Sequence, residues 1–140
     1  MKAVKTLLSA LSGLVLLGGC FGGETAEQRI VQNVAGGSNP YLWRASLDTL
    51  VKLPLVEADS YGGTIIYDWA SFDSAPDERI KATVYILDSR LRADGVKVAV
   101  FRQTLNEGTW ADAAVDPETS IQLENAILTR ARNLKAAELG

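Results

Sequence analysis

Apolar and polar side chains alternate in two stretches of the chain, residues 79–88 and 96–104, with the period of a half-buried β-strand. The apolar positions on one face are Ile80, Ala82, Val84 and Ile86 in the first stretch and Val96, Val98 and Val100 in the second. Asp94-Gly95 lies between the stretches, and Asp-Gly is typical of a hairpin turn because it supplies positive φ at low cost. The pattern therefore predicts an antiparallel pair of strands with one buried face.

Two further stretches predict shorter strands. Residues 64–69 are β-branched and aromatic, as strand residues usually are, and residues 109–114 follow the turn signal Asn106-Glu107-Gly108. The intervening residues 57–63 and 70–78 are rich in Asp, Ser, Gly or Pro and predict a connector and a loop. We therefore expect a sheet of three to four strands.

Helix-start signals stand before and after these strands. Asn39-Pro40 places an Asn cap before a Pro at the first helical position, and Asp116-Pro117 does the same with Asp. Pro54 ends the first helix at about residue 53, because proline cannot continue a helix. The apolar positions are Trp43, Leu47, Leu50 and Val51 in the first helix and Ile121, Ile127, Leu128, Ala131 and Leu134 in the second.

The order of elements is therefore helix-β-β-β-(β)-helix. One face of the sheet has to be covered, and the two helices are the available cover. The sequence predicts an α+β fold, a two-layer sandwich with an antiparallel sheet of three to four strands covered on one face by two helices. We expect it to form a single domain over residues 38–140.

The first 37 residues carry a different pattern. Lys2 and Lys5 precede an apolar run over residues 7–17, which is typical of an export signal and too short to span a bilayer. Leu17-Gly18-Gly19-Cys20 resembles the lipobox of bacterial lipoproteins, which implies that residues 1–19 are a signal peptide and that Cys20 is lipidated. Residues 20–37, with Gly pairs at both ends, are expected to be a flexible tether.

The resemblance to lipoproteins also implies a location. Two or more acyl chains anchor a protein stably in a membrane, so we expect the chain to face the periplasm from a lipid anchor on Cys20. Phe21 follows the cysteine, where Asp is linked to retention in the inner membrane of enterobacteria. The outer membrane is therefore the expected location, ahead of the inner membrane.

Composition removes several classes of function. The 140 residues contain no His and one Cys, which excludes a disulfide framework, a zinc cluster and His-dependent acid–base catalysis within one chain. The 14 Lys and Arg against 17 Asp and Glu give a net charge of −3, which is unfavourable for nucleic-acid binding. We expect a protein that is not an enzyme, binds no cofactor and binds no nucleic acid.

The remaining candidates for chemistry are acidic and aromatic side chains. The acids of the predicted loops are Asp59, Asp68, Asp73, Asp77 and Glu78, and their spacing matches no EF-hand. An Asp beside a Trp at a strand end is more often structural, so we assign no catalytic, metal-binding or cofactor-binding residue. Trp69 and Tyr85 form the possible partner surface, because the alternation places Tyr85 on the uncovered face of the sheet with Lys81 and Thr83.

Four strings of residues resemble a known family. They are residues 36–50 (GGSNPYLWRASLDTL), 62–69 (GGTIIYDW), 91–96 (LRADGV) and 128–132 (LTRAR). Together they resemble the alphaproteobacterial lipoproteins that share domain of unknown function 3576, over roughly residues 36–134, and this resemblance implies no activity. Trp43, Gly62-Gly63 and Asp68-Trp69 are also faintly similar to lipoprotein C of the outer-membrane β-barrel assembly machinery.

These observations lead to two hypotheses about function. The first is a lipid-anchored periplasmic interaction module, accessory to an envelope or outer-membrane assembly complex, whose partners are the membrane and an envelope protein. The alternative is a carrier or sensor that binds a small apolar ligand between the sheet and the C-terminal helix. The alternative predicts a cavity lined by Val84, Val98, Val100, Ile127 and Leu128.

Overall fold

The computed structural model describes residues 38–140, which form two helices and six strands. In chain order the elements are α1 (Pro40–Thr49), β1 (Leu55–Asp59), β2 (Thr64–Tyr67), β3 (Ala70–Phe72), β4 (Ala75–Ile86), β5 (Val96–Asn106), β6 (Thr109–Ala113) and α2 (Pro117–Leu139). The predicted signal peptide, Cys20 and the predicted tether all lie outside the described residues.

All the strands belong to one antiparallel sheet in the order β1-β2-β4-β5-β6. The long strands β4 and β5 pair over nine positions, from Glu78 opposite Thr104 to Ile86 opposite Val96. The other edge of β4 is shared, since β2 pairs with its C-terminal part and β3 pairs with its N-terminal part. The predicted hairpin is thus the centre of the sheet.

The α+β class is confirmed, whereas the expected number of three to four strands is wrong. β1 occupies part of the predicted connector, and all five of its residues are exposed, so it has no buried face for a sequence pattern to reveal. β3 has three residues and lies in the predicted loop. Both short strands exist because they pair with β2 and β4, and pairing over so few residues leaves little periodic signal.

The two predicted helix caps are confirmed. Asn39 Oδ1 accepts hydrogen bonds from the N–H groups of Tyr41 and Leu42 at 2.9 and 3.0 Å. Asp116 Oδ1 accepts from the N–H of Glu118 at 2.9 Å. Each cap satisfies backbone donors that have no partner within the helix. Neither of these two helices combines the length and apolar character needed to cross a bilayer.

The apolar face of α1 agrees in part with the predicted one, since Leu50 is buried and Trp43 and Leu47 pack against the core. The helix buries Leu42, Ala45 and Ser46, while Val51 is exposed beyond the helix end. α1 ends at Thr49 instead of residue 53. A proline ring clashes with the carbonyl group four residues earlier, so Pro54 opposes helical geometry from about Leu50 onward.

Both helices pack on the same face of the sheet and enclose the core. The buried apolar residues are Leu42, Ala45, Leu50, Leu53, Ile65, Tyr67, Ala82, Val84, Ile86, Val96, Val98, Ile127, Leu128 and Ala131. Ser46 is buried among them, and its hydroxyl donates to the Leu42 carbonyl oxygen at 2.7 Å. Within residues 38–140 every buried side-chain nitrogen and oxygen has a hydrogen-bond partner, so the core contains no uncompensated polar group.

An ionic contact joins the two helices outside the core. Asp48 of α1 accepts from Arg130 of α2 at 2.9 and 3.1 Å, and Arg44 donates to the same carboxylate at 3.0 Å. The hydrogen bonds from Arg130, together with the charge of Arg44, hold the pKa of Asp48 below its usual value. The two helices are thus held together by polar contacts as well as by the apolar core.

The two predicted turns have different outcomes. Gly95 was expected to supply a positive φ, but it does not have one. Instead, the backbone approaches Gly95 closely, because a Cβ there would lie 3.0 Å from the Arg90 carbonyl oxygen. The β4–β5 connection runs over residues 87–95.

The β5–β6 turn is confirmed as a tight one, with φ of 49° at Glu107 and 81° at Gly108, as a type I′ turn requires.

A pair of substitutions in α2 tests the packing of the two layers. Ile127→Ala should lower the free energy of unfolding by about 2–5 kcal/mol, since a buried side chain of this size leaves a cavity. Ile121→Ala is the matched control, because Ile121 lies in the same helix and is 46% exposed; it should change stability by about 0.5 kcal/mol or less. Urea unfolding followed by circular dichroism measures both, and equal losses would contradict the packing described here.

Candidate functional site

The face of the sheet opposite the helices is not covered by any element within residues 38–140. We call this surface the open face. Its principal side chains are Trp69, Arg79, Lys81, Tyr85, Lys97, Phe101, Gln103 and Trp110, as the strand register and the contacts below establish. Tyr85 is 42% and Phe101 is 47% exposed. Large aromatic side chains on an uncovered sheet face are typical of a contact surface.

Two cations lie over three aromatic rings at the centre of the open face. The Arg79 guanidinium carbon is 4.8 Å from the ring centroid of Trp69 and 4.4 Å from that of Trp110. Lys81 Nζ is 5.1 Å from the rings of both Trp69 and Phe101. All four distances are within the range of cation–π attraction. These five side chains form one row, which we call the aromatic–cation cluster.

The cluster exists because three local features of the backbone bring its members together. Lys81 and Phe101 are directly opposite each other in the β4–β5 register. Trp110 belongs to β6, where it lies opposite Leu105 of β5. Trp69 lies at the break between β2 and β3, and its N–H donates to Asp68 Oδ1 at 2.7 Å. At this break, the indole of Trp69 lies beside β4, within reach of Arg79 and Lys81.

A chain of hydrogen bonds fixes the guanidinium of Arg79. Its Nε donates to Gln103 Oε1 at 2.7 Å, and Gln103 Nε2 donates to Asp112 Oδ1 at 2.8 Å. Gln103 is opposite Arg79 in the register, and Asp112 is opposite Gln103. Arg79 is therefore oriented by a neutral amide instead of a carboxylate.

The other arginines of the described chain are mostly neutralised. Ion pairs join Arg44 and Arg130 to Asp48, Arg90 to Asp88, Arg92 to Asp94, Arg102 to Glu78, and Lys97 to Glu124. Arg79 and Lys81 have no carboxylate partner among residues 38–140. The aromatic–cation cluster therefore carries two positive charges with no direct ion pair among residues 38–140, although Asp112 is joined to Arg79 through Gln103.

The two residues of the predicted partner surface both lie on the open face, but at different places. Trp69 belongs to the aromatic–cation cluster. Tyr85 pairs with Lys97 and Thr64, four residues along β4 from Lys81. Four residues of strand span about 13 Å. Trp69 and Tyr85 thus mark the middle and one end of the same surface.

Sequence reasoning missed Arg79 as a member of this surface and did not join Lys81 to Phe101. The alternation did place Lys81 and Phe101 opposite the buried face, so the signal for two members was present. Their contact follows from the β4–β5 register, which a nine-residue connection leaves undetermined. Trp110 was not assigned to this surface, because nothing in the sequence fixed the pairing of β6.

Three of the five acids that were weighed as chemical groups, Asp59, Asp68 and Glu78, have a structural contact. Asp59 Oδ1 accepts from the N–H groups of Tyr61 and Gly62, both at 3.0 Å. Glu78 binds Arg102 through two contacts of 2.5 and 3.2 Å, and these hydrogen bonds lower the pKa of Glu78. No three or more acidic or cysteine side chains of the described residues come together as a metal site would require.

The residues of the predicted ligand cavity are divided between the core and a groove. Val84, Val98, Ile127 and Leu128 are buried in the core cluster. A groove of about 430 Å³ lies instead beyond the end of α1, and of the predicted lining residues Val100 is the one that contributes to it. The apolar side chains of this groove are Leu50, Val51, Leu53, Phe72, Ile80, Ala82, Val100 and Leu123.

Comparison with known proteins identifies relatives of the chain. The family described as "Domain of unknown function (DUF3576)" matches residues 36–136. A protein of Rickettsia prowazekii (strain Madrid E), named "Uncharacterized protein RP420", is 34% identical over 96 residues, which are 69% of this chain and 58% of that relative. The chain thus spans less than two thirds of that relative's length. The resemblance to domain of unknown function 3576 is confirmed, whereas the lipoprotein nature of the chain and the likeness to lipoprotein C stay predictions.

A double-mutant cycle tests whether the cluster holds together through its cations. Arg79→Gln and Trp110→Leu should show a coupling energy of about 0.5–1 kcal/mol, the magnitude of a cation–π contact at a partly exposed site. Arg132→Gln combined with Trp110→Leu is the control, since Arg132 is exposed on α2 behind the sheet. Urea unfolding of the four proteins in each cycle gives the coupling. A coupling near zero in the first cycle would contradict the contact.

Proposed function

The chain belongs to the family described as Domain of unknown function (DUF3576), whose description names no activity, so we propose a function from the residues themselves. The protein is a lipid-anchored interaction module of the bacterial envelope. Cys20 carries the anchor, the domain faces the periplasm, and the open face docks an envelope protein. The module serves as an accessory to an envelope or outer-membrane assembly complex and carries out no reaction of its own.

The observation that carries this proposal is the aromatic–cation cluster. Trp, Tyr and Arg are the residue types that contribute most to binding energy at protein interfaces. Here they are already ordered by mutual contacts and by the hydrogen bond from Arg79 to Gln103. A preformed surface loses little conformational entropy on binding, which favours affinity. The uncovered position of the cluster on one side of a rigid sheet leaves it accessible to a partner.

The titratable groups favour an interaction module over an enzyme. The carboxyl pKa values that depart from the ordinary range belong to Asp48, Glu78 and Asp88, and each is lowered by hydrogen bonds from an arginine. Such carboxylates remain charged and paired. A general acid or base needs instead a group whose pKa is shifted toward the working pH in a cleft beside a substrate.

The place where the chain enters the domain is compatible with an anchor. Ser38 donates from its N–H and its hydroxyl to the Ser60 carbonyl oxygen at 3.0 and 2.8 Å, and Asn39 donates to the Ser89 carbonyl oxygen at 2.5 Å. These contacts fix the start of the domain at the end of the sheet where β4 finishes. The aromatic–cation cluster lies farther along β4, so a lipid attached upstream does not need to compete with it.

The groove favours a second candidate function, in which a small apolar ligand binds to the domain. Phe72, Ile80 and Val100 are among its apolar lining residues, and Lys52 also lines it. In this case the protein is a carrier or sensor. Native mass spectrometry of the purified chain would support this function if it revealed a co-purifying lipid.

The anchor is tested by a change at Cys20. Cys20→Ala should abolish labelling by radioactive palmitate and leave the chain unprocessed, because the thiol is the group that takes the lipid and the chain has one cysteine. Phe21→Ala, which changes the adjacent residue and keeps the thiol, is the control and should still be labelled. Labelling of Cys20→Ala at the wild-type level would overturn the anchor.

The docking surface is tested by photocrosslinking in intact cells. Replacing Tyr85 with p-benzoylphenylalanine should give a reproducible adduct with an envelope protein, because position 85 lies exposed on the open face. The same replacement at Tyr61, which is exposed in the β1–β2 turn, is the matched control and should not give that adduct. Mass spectrometry identifies the adduct. Identical adducts from both positions, or none from position 85, would contradict docking through this face.

A further inference from the structure

We propose that the partner of the open face presents an extended acidic segment, with carboxylates at alternate positions that bind Arg79 and Lys81. This inference rests on the proposed function, because it assigns a chemical class to the partner that docks there. Three properties of the aromatic–cation cluster carry it: uncompensated charge, the unused edge of one guanidinium, and the spacing of the two cations.

The first property is charge complementarity. The whole chain has a net charge of −3, yet Arg79 and Lys81 lie side by side without a carboxylate partner among residues 38–140. Six other cations of this part of the chain form ion pairs. A positive site within an acidic protein selects partners that supply negative charge and disfavours partners that do not.

The second property is the geometry of the Arg79 guanidinium. Its central carbon lies 4.8 and 4.4 Å from the ring centroids of Trp69 and Trp110, and its Nε donates to Gln103. The terminal Nη groups make no hydrogen bond within the described chain. Two parallel N–H donors at the edge of a fixed plane match the two oxygens of a carboxylate. Arg79 is half-buried among these rings, and the lower local dielectric strengthens such a pair.

The third property is the spacing of the cations. Arg79 and Lys81 are two residues apart on β4 and share one face. Alternate residues of a strand are separated by about 7 Å. An extended segment with acidic residues at alternate positions has the same repeat, so both carboxylates can engage at once. The rings of Trp69 and Phe101 would then contact the intervening part of the segment.

Other occupants of the open face fit these properties less well. A second copy of the chain, docked by the same face around a two-fold axis, would place a like-charged cluster against Arg79 and Lys81. A sugar needs a free aromatic face to stack on, and the cations already lie over Trp69, Trp110 and Phe101. Anionic lipid supplies charge without a fixed 7 Å repeat, and the experiments below separate it from a peptide.

The first experiment repeats the crosslinking from position 85 in charge variants of the full chain. Arg79→Gln combined with Lys81→Gln should reduce the yield of the adduct by about tenfold or more, since hydrogen bonds to charged groups are worth this much in binding. Arg132→Gln combined with Lys135→Gln removes the same charge from α2 and should leave the yield unchanged. An undiminished yield in the first variant would overturn the acidic segment while leaving docking intact, whereas no adduct in the wild type would overturn docking itself.

The second experiment measures binding directly with the purified full chain in neutral detergent. A peptide of alternating Glu and Thr is the probe, its Gln-Thr counterpart is the control, and tryptophan fluorescence is the signal. The Glu peptide should bind. Arg79→Lys should weaken its binding less than Arg79→Gln does, because lysine keeps the positive charge and loses only the paired N–H donors of the guanidinium. Circular dichroism of each variant establishes that the fold is retained.

Vesicles of phosphatidylglycerol and phosphatidylcholine form the last arm of this experiment. If the chain with Cys20→Ala binds these vesicles through Arg79 and Lys81 and ignores the Glu peptide, the partner is an anionic lipid surface and the proposal is overturned. Equal binding of the Glu and Gln peptides would overturn it as well. Binding of the Glu peptide that falls with Arg79→Gln, and weaker binding to vesicles, supports it.

Discussion

The register between β4 and β5 is the constraint on which the rest of the structure depends. Nine consecutive pairs fix which side chains of the two strands face the helices and which face outward. Because side chains alternate along a strand, a shift of one residue would exchange the two faces. If β4 shifted in this way, Val84 would leave the core, and Arg79 and Lys81 would enter it without partners. The cost of burying those charges therefore adds to the gain from burying the valine in protecting the register.

The helices reinforce this register where the sheet itself is incomplete. β6 pairs with residues 102–106 of β5, so the edge of β5 nearer its start has no strand beside it. Glu124 of α2 lies at this edge, accepting from the N–H of Val98 at 3.0 Å and contacting Lys97 Nζ at 3.5 Å. One helix thus covers the core, closes an open strand edge and neutralises an outward-facing lysine. Such an edge would otherwise invite pairing with another chain.

The sequence was informative wherever a long element has a periodic buried face, and less so elsewhere. The caps at Asn39 and Asp116, the β4–β5 pair and the stripe on α2 from Ile127 to Leu134 could be predicted, because each combines a local signal with a repeated one. Ile121, also expected on that stripe, is exposed instead. β1 and β3 could not be predicted, since they are short and exposed and exist through pairing alone.

The candidate site, too, could be predicted only where a periodic pattern marks it. Trp69 and Tyr85 were placed on a common surface, but the contacts of Arg79 with two tryptophans join three separate segments of the chain. Contacts of that kind depend on register and on the break between β2 and β3, neither of which has a periodic signature.

The aromatic–cation cluster reconciles two opposing demands on the open face. Bare tryptophan and phenylalanine rings on a flat sheet would promote aggregation, whereas charged residues alone would make a weak contact surface. Cations placed over the rings keep the surface hydrated and at the same time shield them from unrelated apolar surfaces. A partner that supplies only apolar groups would have to desolvate Arg79 and Lys81 without compensation, which is unfavourable. A partner that brings carboxylates along with apolar groups can satisfy the cations and cover the rings together. The arrangement therefore gives specificity through the cost imposed on wrong partners, in addition to the attraction of the right one.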